Sequence, residues 1–455
     1  MIDESATSSE LNGEQTTLRR ALGLPSLTFF GLAYLSILAV FTVYGSGVKV
    51  TDGHLPAAYI VATVAMLFTA YSYGRMSGQF PRAGSAYTYT QQTFGGHVGF
   101  LTGWTLMLDY LFLPMINFLL IGLYLNAQFP AVPAWAFTLF GLAFVLGLSI
   151  LGIRVVSRLN VFAVITSAAV AVVFIGLSIN YGIRHSSGVS ILAPLVPGDG
   201  GVAPIFAGAA ILALAFLGFD AVSTMSEEAR HPKRDIPRAI MLTTILGGLT
   251  FFLVAWAGTF VYPDWTLIQD LDAAGVELNE RVGGPILQAL FVAIYIVGAT
   301  LSGTAAQISV ARILYAMGRD GVLPHKLGYL HPRFRTPVVA ALVVSAFSLV
   351  ALFISLDVAV TIINFGALAA FSMVNLSVIK HFIVDRKERT PTDLLRYGLI
   401  PTIGFALTVW IWTSLSGFTF VVGLCWMAAG VVVLAIRTRF FRVQPPVMDF
   451  SEAEH

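Results

Sequence analysis

Apolar residues in this chain run together in stretches of about twenty, long enough to cross about 30 Å of hydrocarbon at about 1.5 Å of helix per residue. The first six fall near Ser26–Val50, Pro56–Arg75, Gly95–Asn126, Ala134–Gly152, Val156–Gly182 and Pro204–Met225. Six more lie near Ala239–Tyr262, Gly283–Met317, Val338–Leu356, Val358–Ile383, Leu395–Leu415 and Phe418–Ile436. The pattern predicts an all-α, polytopic membrane protein of 12 transmembrane helices. Two spans are punctuated by small residues. The first carries Gly31, Ala33, Ser36 and Ala39, and the sixth carries Gly208 and then Gly218-Phe219-Asp220. About 180 residues separate them, the length of a five-helix unit. They can therefore hold equivalent places in two inverted five-helix repeats followed by two extra helices, as in secondary transporters with discontinuous central helices. Close helix packing is the other use of such glycines. The expected division is a tail at 1–25, repeats at 26–182 and 183–383, helices 11 and 12 at 384–436, and a tail at 437–455.

Composition agrees with a lipid-dissolved chain. Of 455 residues 57% are hydrophobic and 11% charged, and the mean hydropathy is +0.82, which excludes an ordinary soluble enzyme. The residues before Ser26 hold Glu4, Glu10 and Glu14 and no apolar leader, so no signal peptide is expected. With twelve spans and the amino terminus inside, 23 of 26 Lys and Arg fall at cytoplasmic ends, from Arg19 and Arg154 to Arg442. Only Lys49, Arg184 and Arg281 fall outside, while Asp264, Asp270, Asp272, Glu277 and Glu280 crowd the external connection from Pro263 to Gly283. That distribution obeys the positive-inside rule and puts both termini in the cytoplasm. Cys425 is the single cysteine, so no intramolecular disulfide or cysteine-based metal site exists.

Two carboxylates stand inside spans. Asp109 is 14 residues into the third span and Asp220 is the 17th residue of the sixth, so both lie near mid-bilayer. A carboxylate there is costly unless it faces water or a partner. The twelve spans hold no Lys or Arg at that depth, so the missing cation is most simply the substrate. Glu227, seven residues after Asp220, would share its α-helical face about 10 Å away and suits proton relay or gating. An ion pair involving Glu227, Glu228 and the following Arg230, Lys233, Arg234 and Arg238 explains it equally well. Tyr110, Phe112, Phe216 and Phe219, with Tyr34 and Phe41, put aromatic faces near the aspartates, and such faces attract ammonium groups.

These residues resemble the amino acid/polyamine/organocation transporters, and within them the bacterial putrescine importers. The resemblance covers nearly the whole chain. It is carried by Gly31-Leu32-Ala33-Tyr34-Leu35, Asp52-Gly53-His54, Gln79-Phe80-Pro81-Arg82-Ala83-Gly84-Ser85 and Leu108-Asp109-Tyr110-Leu111-Phe112-Leu113-Pro114. Phe216-Leu217-Gly218-Phe219-Asp220, Ser226-Glu227-Glu228, Ile236-Pro237-Arg238, Met317-Gly318-Arg319-Asp320 and Ile363-Asn364-Phe365-Gly366 follow in order. The resemblance implies the LeuT-like five-plus-five inverted-repeat fold with substrate between spans 1, 3, 6, 8 and 10, and multi-pass placement in the bacterial plasma membrane. It carries substrate contact to Asp109 and Tyr110, and places Asp220 beside the sixth-span break. Where amino-acid members have a Gly-Ser-Gly-like motif for the substrate carboxylate, this chain has Ser36-Ile37-Leu38-Ala39. Gly45-Ser46-Gly47 is too near the external end and reads as packing or loop entry.

A diamine, cationic at both ends, matches two separated acids with an aromatic wall between them. The expected substrate site is Asp109, Tyr110, Asp220, Phe219, Phe216, Tyr34 and Ser36, with Asp220 and Glu227 as candidates for proton coupling or gating. The expected function is import of putrescine or a similar polyamine by alternating access, with H+ as driving ion and no cofactor. An amino-acid permease or exchanger, including one for cationic amino acids, is the alternative. Enzyme chemistry is not expected: the 8 His are scattered over loops and ends without ligand spacing. No nucleic-acid motif is present, and the oligomeric state stays open.

Overall fold

The computed structural model describes residues 20–440 and Arg442, apart from 130, 152, 186–189, 199, 272, 322 and 355. Most of both expected tails, with Arg19 and Asp272, lie outside the described residues, as does the side chain of Arg154. Among the described residues the regular structure is helical, with one isolated bridge between Leu22 and Ala229. Ten helical segments of the described residues are long and apolar enough to cross a membrane; Ala203–Leu212 and Val338–Leu352 are shorter apolar helices.

The first apolar stretch is three helices, α1 (Leu24–Leu35), α2 (Ala39–Thr42) and α3 (Tyr44–Val50). Then come α4 (Leu55–Gln79), α5 (Ala86–Phe94), α6 (Gly96–Gln128), α7 (Ala134–Leu151) and α8 (Ile153–His185). The sixth stretch opens as α9 (Ala203–Leu212) and tightens into 3-10 turns at Ala213–Phe216 and Asp220–Glu228. α10 (Pro232–Val261), α11 (Ala274–Arg319), α12 (Val338–Ser348) and α13 (Leu356–Val378) follow. The chain finishes with the short turn α14 (Pro391–Asp393), α15 (Ile400–Trp412) and α16 (Gly417–Arg437). Prolines stand in the first turns of α1, α4, α9 and α10, where the missing N–H costs nothing and the fixed φ suits a helix.

Burial sorts these helices. The apolar window of α6 is 78% buried, against 22% for α16 and for the segment containing α15, so α6 lies inside the bundle and the last two helices flank it. Small residues set the closest approaches. A Cβ on Gly366 of α13 would stand 2.7 Å from the Asp109 amide nitrogen, and one on Gly31 of α1 would stand 2.7 Å from Val222. Gly45 is jammed against the Leu271 carbonyl and Gly47 against Leu55, which is the packing use read for that pair.

Three expectations change in detail. The connection after Pro263 is a folded piece: α11 begins at Ala274, breaks at Gly284 (φ 66°) and restarts at Pro285. Its Gly275 packs against Phe41, and Glu277 accepts bonds from Tyr262 and from the Gln269 and Asp270 amides. The second concerns Asp220 and Glu227. At 3.0 residues per turn, the 3-10 winding of Asp220–Glu228 separates positions seven apart by two and a third turns, so the α-helical shared face is lost. Third, Glu227 and Glu228 pair with residues of α11 rather than with the cations that follow them in sequence: Glu227 with Arg319 at 3.0 Å, and Glu228 with Arg312 in a fully buried bridge.

Candidate functional site

Both interrupted segments break where they meet. α1 ends at Leu35, and Ser36 turns the chain at φ 54°, ψ 91° before α2 starts at Ala39. The turn lies in the stretch Ser36-Ile37-Leu38-Ala39, and no Gly or Pro forms it. A non-glycine residue at positive φ is strained and needs surrounding support. Ser302 of α11 supplies some of it by donating to the freed Tyr34 carbonyl at 2.8 Å. In the sixth stretch the turn is Gly218 at φ 119°. A Cβ there would lie 2.1 Å from Cδ1 of Tyr34, so only glycine lets the two broken segments touch.

The two aspartates sit beside this contact. Asp220 is fully buried; its Oδ2 accepts from the Tyr110 hydroxyl at 2.5 Å and its Oδ1 from the Gly218 amide at 3.2 Å. Asp109 is 1% exposed, and neither of its carboxylate oxygens has a hydrogen-bond partner among the described residues. Tyr110, which bonds Asp220, follows Asp109 directly in α6, so the two carboxylates belong to one neighbourhood. Pro114, one turn further along α6, has no N–H to give the Tyr110 carbonyl, which leaves that oxygen without its helical donor. The pair is thus acceptor-rich, and among the described residues no basic side chain forms an ion pair with it.

Aromatic rings wall the cluster. Tyr34 lies 6.1 Å from Tyr110, ring centre to ring centre, and its buried hydroxyl has no hydrogen-bond partner among the described residues. Phe219 packs 5.7 Å from Tyr73 of α4 and 5.3 Å from Phe371 of α13. Tyr73 is itself fully buried, edge-on to Tyr89 at 6.1 Å. The structure therefore brings together Asp109, Tyr110, Asp220, Phe219 and Tyr34. Phe216 instead packs against Phe251 of α10 at 5.4 Å, and Ser36 lies in a small crevice with Ser167 and Gly298. Glu227 is at the far end of its 3-10 segment, where it also accepts from the Ala83 amide at 3.2 Å. Tyr73 and Phe371 were missed from sequence. In a chain with 12% aromatic residues nothing in their neighbours singles them out.

One end of the bundle is tied together by polar contacts. The segment before α1 is stitched under the sixth stretch, with the Leu22 amide donating to the Glu228 carbonyl at 3.0 Å and the Arg230 amide to the Leu22 carbonyl at 2.8 Å. The bridges from Glu228 to Arg312 and from Glu227 to Arg319 tie the same place to α11. Tyr87 of α5 adds a bond to Asp320 at 3.1 Å. Toward the other end Phe41 of α2 packs edge-on against Phe174 and Phe291, 4.9 Å from each ring. Asp109, Asp220, Tyr110, Tyr34 and Phe219 are all buried.

Broken helices around intramembrane carboxylates are a transporter's arrangement, and sequence comparison gives the lineage. Residues 27–444 match the family described as amino acid permease. The chain belongs to the amino acid permease family. It is 40% identical over 441 residues to the low-affinity putrescine importer PlaP of Escherichia coli K12, covering 96% of this chain and 97% of that one. It is 30% identical over 460 residues to the branched-chain amino acid permease BcaP of Bacillus subtilis, covering 94% and 95%. A third relative, cationic amino acid transporter 4 of mouse, is 30% identical over 403 residues, covering 81% of this chain and 61% of that one. With its family and its apolar helices, the chain is a multi-pass protein of the bacterial inner membrane.

Proposed function

We propose that this permease is a secondary active transporter that imports putrescine or a similar diamine by alternating access. The observation that carries the reading is Asp109: a buried carboxylate with two unpartnered oxygens, beside a second buried carboxylate that the protein has already bonded. An unpaired buried charge is costly, and an ammonium group supplies what Asp109 lacks. In this reading one ammonium binds Asp109 and the freed Tyr110 carbonyl, and the other binds Asp220. Tyr110, Tyr34 and Phe219 line the methylenes between them. The near-full-length similarity to a putrescine importer supports the same substrate class.

The reading includes the architecture. The ten long helices, with the interrupted sixth segment and the short Val338–Leu352, make twelve spans. The breaks at Ser36 and Gly218 hold matching places in two inverted repeats. By the positive-inside rule the end tied together by Arg312 and Arg319 is cytoplasmic, as are both termini. The protein is then a carrier without cofactor rather than an enzyme. Inside-negative potential favours entry of a dication by about 2.3 kcal/mol per charge per 100 mV. Protons are the proposed coupling ion, with Asp220 the group that exchanges a proton as substrate leaves and Glu227 part of the inner closure.

A second reading, amino-acid transport, draws on one feature. The Ile37 and Leu38 amides at the α1 break make no backbone hydrogen bond among the described residues, and free amides can hold a carboxylate. Uptake of labelled putrescine into proteoliposomes under an inside-negative potential, with arginine and leucine as competitors, separates the two. Saturable putrescine uptake that the amino acids leave unaffected supports diamine import. Uptake of arginine or leucine in place of putrescine overturns it.

A further inference from the structure

Away from the aspartates, a cavity of about 850 Å³ opens between α4, the start of α10 and the segment after α13. Five cationic side chains from three separate elements line it: Arg75, Lys233, Arg234, Arg238 and Arg386. Glu388 is the one carboxylate in the lining. Arg234 is taken by Asp235 at 3.0 Å, and Arg386 by Glu388 at 3.8 Å. Three cations remain, and among the described residues no carboxylate pairs with Arg75, Lys233 or Arg238. Arg75 is held in place by the rings of Tyr71 and Tyr397, 4.8 and 5.6 Å from their centres.

The positive-inside rule accounts for cations at this end of the bundle. It does not account for their convergence on one cavity, nor for crowding at the start of α10. Lys233 and Arg234 lie in the first turn of a 30-residue helix, where the positive end of the helix dipole disfavours them. An anion in the cavity is attracted both to these cations and to the helix N-terminus, which offsets their mutual repulsion. The walls are also partly apolar, with Met241 and Leu242 among them. From Leu242 an exposed stripe runs deeper along α10 through Ile245, Leu246 and Leu249, at helical spacing. A phosphate-sized charge at the mouth with an apolar track leading into the bilayer is the shape of a phospholipid.

We propose that this cavity binds the headgroup of an anionic diacyl phospholipid, its phosphate held by Arg75, Lys233 and Arg238 and one acyl chain laid along the Leu242–Leu249 stripe. The lipid bridges α4, α10 and the segment after α13. Basic pockets between membrane helices on the cytoplasmic side are suited to such headgroups. The assignment rests on the proposed sidedness only for which leaflet supplies the lipid; binding itself is independent of it and of the transported substrate.

The test is native mass spectrometry of the full-length protein in detergent, titrated with phosphatidylglycerol, with phosphatidylcholine, and with inorganic phosphate. The expected result is a preferred one-to-one phosphatidylglycerol complex that phosphatidylcholine does not form and inorganic phosphate does not displace. Replacing Arg75→Gln with Arg238→Gln should weaken it about tenfold or more, since each loses a charge-assisted bond. Arg437→Gln, at the same end but outside the cavity, should leave it unchanged. If the double variant fails to fold, Lys233→Gln with Arg238→Gln, both exposed, replaces it. Unaltered phosphatidylglycerol binding in a folded double variant overturns the site. Displacement by inorganic phosphate, or equal binding of phosphatidylcholine, overturns the anionic-lipid assignment.

Discussion

Replacing Asp109 with asparagine isolates one end of the proposed substrate. Asp220 already accepts bonds from Tyr110 and Gly218, so Asp220→Asn disturbs the protein's own contacts. Asp109 has no such contacts to lose, and the exchange conserves its shape. What disappears is a charge-assisted bond to one ammonium, worth about 1.5–3 kcal/mol. Putrescine affinity should fall roughly 10- to 150-fold. The sharper form of the experiment removes the same bond from the other side. 1-Butylamine is putrescine without one amine, so a cycle of two proteins and two ligands, read by isothermal titration calorimetry, measures the coupling between Asp109 and that amine. If the amine binds Asp109, the two losses do not add: the variant should hold putrescine and butylamine about equally well. The reasoning is refuted if Asp109→Asn weakens both ligands alike, a coupling within about 0.3–0.5 kcal/mol of zero.

Other predictions concern the scaffold and the driving force. Gly218→Ala puts a Cβ 2.1 Å from the Tyr34 ring at a backbone φ of 119°, so overpacking of about 1–3 kcal/mol adds to backbone strain. Thermal melting should show a lowered Tm and putrescine binding should be lost, whereas wild-type values in both contradict the contact. Arg312→Met strands the buried Glu228 carboxylate and should cost about 3–5 kcal/mol, most of it recovered in the double variant with Glu228→Leu. Denaturation of the two variants side by side checks this, and a further loss in the double variant counts against a buried bridge. At clamped membrane potential, acidifying the outside of proteoliposomes should speed putrescine uptake; indifference to the proton gradient dismisses proton coupling.

Much of this was legible in the sequence because lipid imposes long apolar segments and excludes charge from them. The long helices from Leu55–Gln79 to Gly417–Arg437 overlap the apolar runs, although α10 and α11 start seven and nine residues before theirs and the sixth run forms only a short, interrupted helix. Asp109 and Asp220 were conspicuous for the same reason. The α1 break at Ser36 was harder to place, since neither Gly nor Pro forms it and its support comes from Ser302, far away in the chain. The partners of Glu227 and Glu228 were hidden by their own neighbours: four cations follow within a few residues, yet the bonds go to Arg319 and Arg312 on α11. The 3-10 winding after Gly218 could not be read either, because its residues suit an α-helix equally well. Tyr73 and Phe371 reach the site through packing alone.

The central claim is that two buried carboxylates and an aromatic wall select a diamine. Equilibrium binding of putrescine, spermidine, arginine and agmatine to the purified protein tests it most directly, with Asp109→Asn and Asp220→Asn measured alongside. The account predicts that putrescine is preferred and that either substitution abolishes the preference. Preference for arginine, or indifference to Asp109→Asn, would contradict it and identify the free amides of the α1 break as the anchor of an amino-acid substrate.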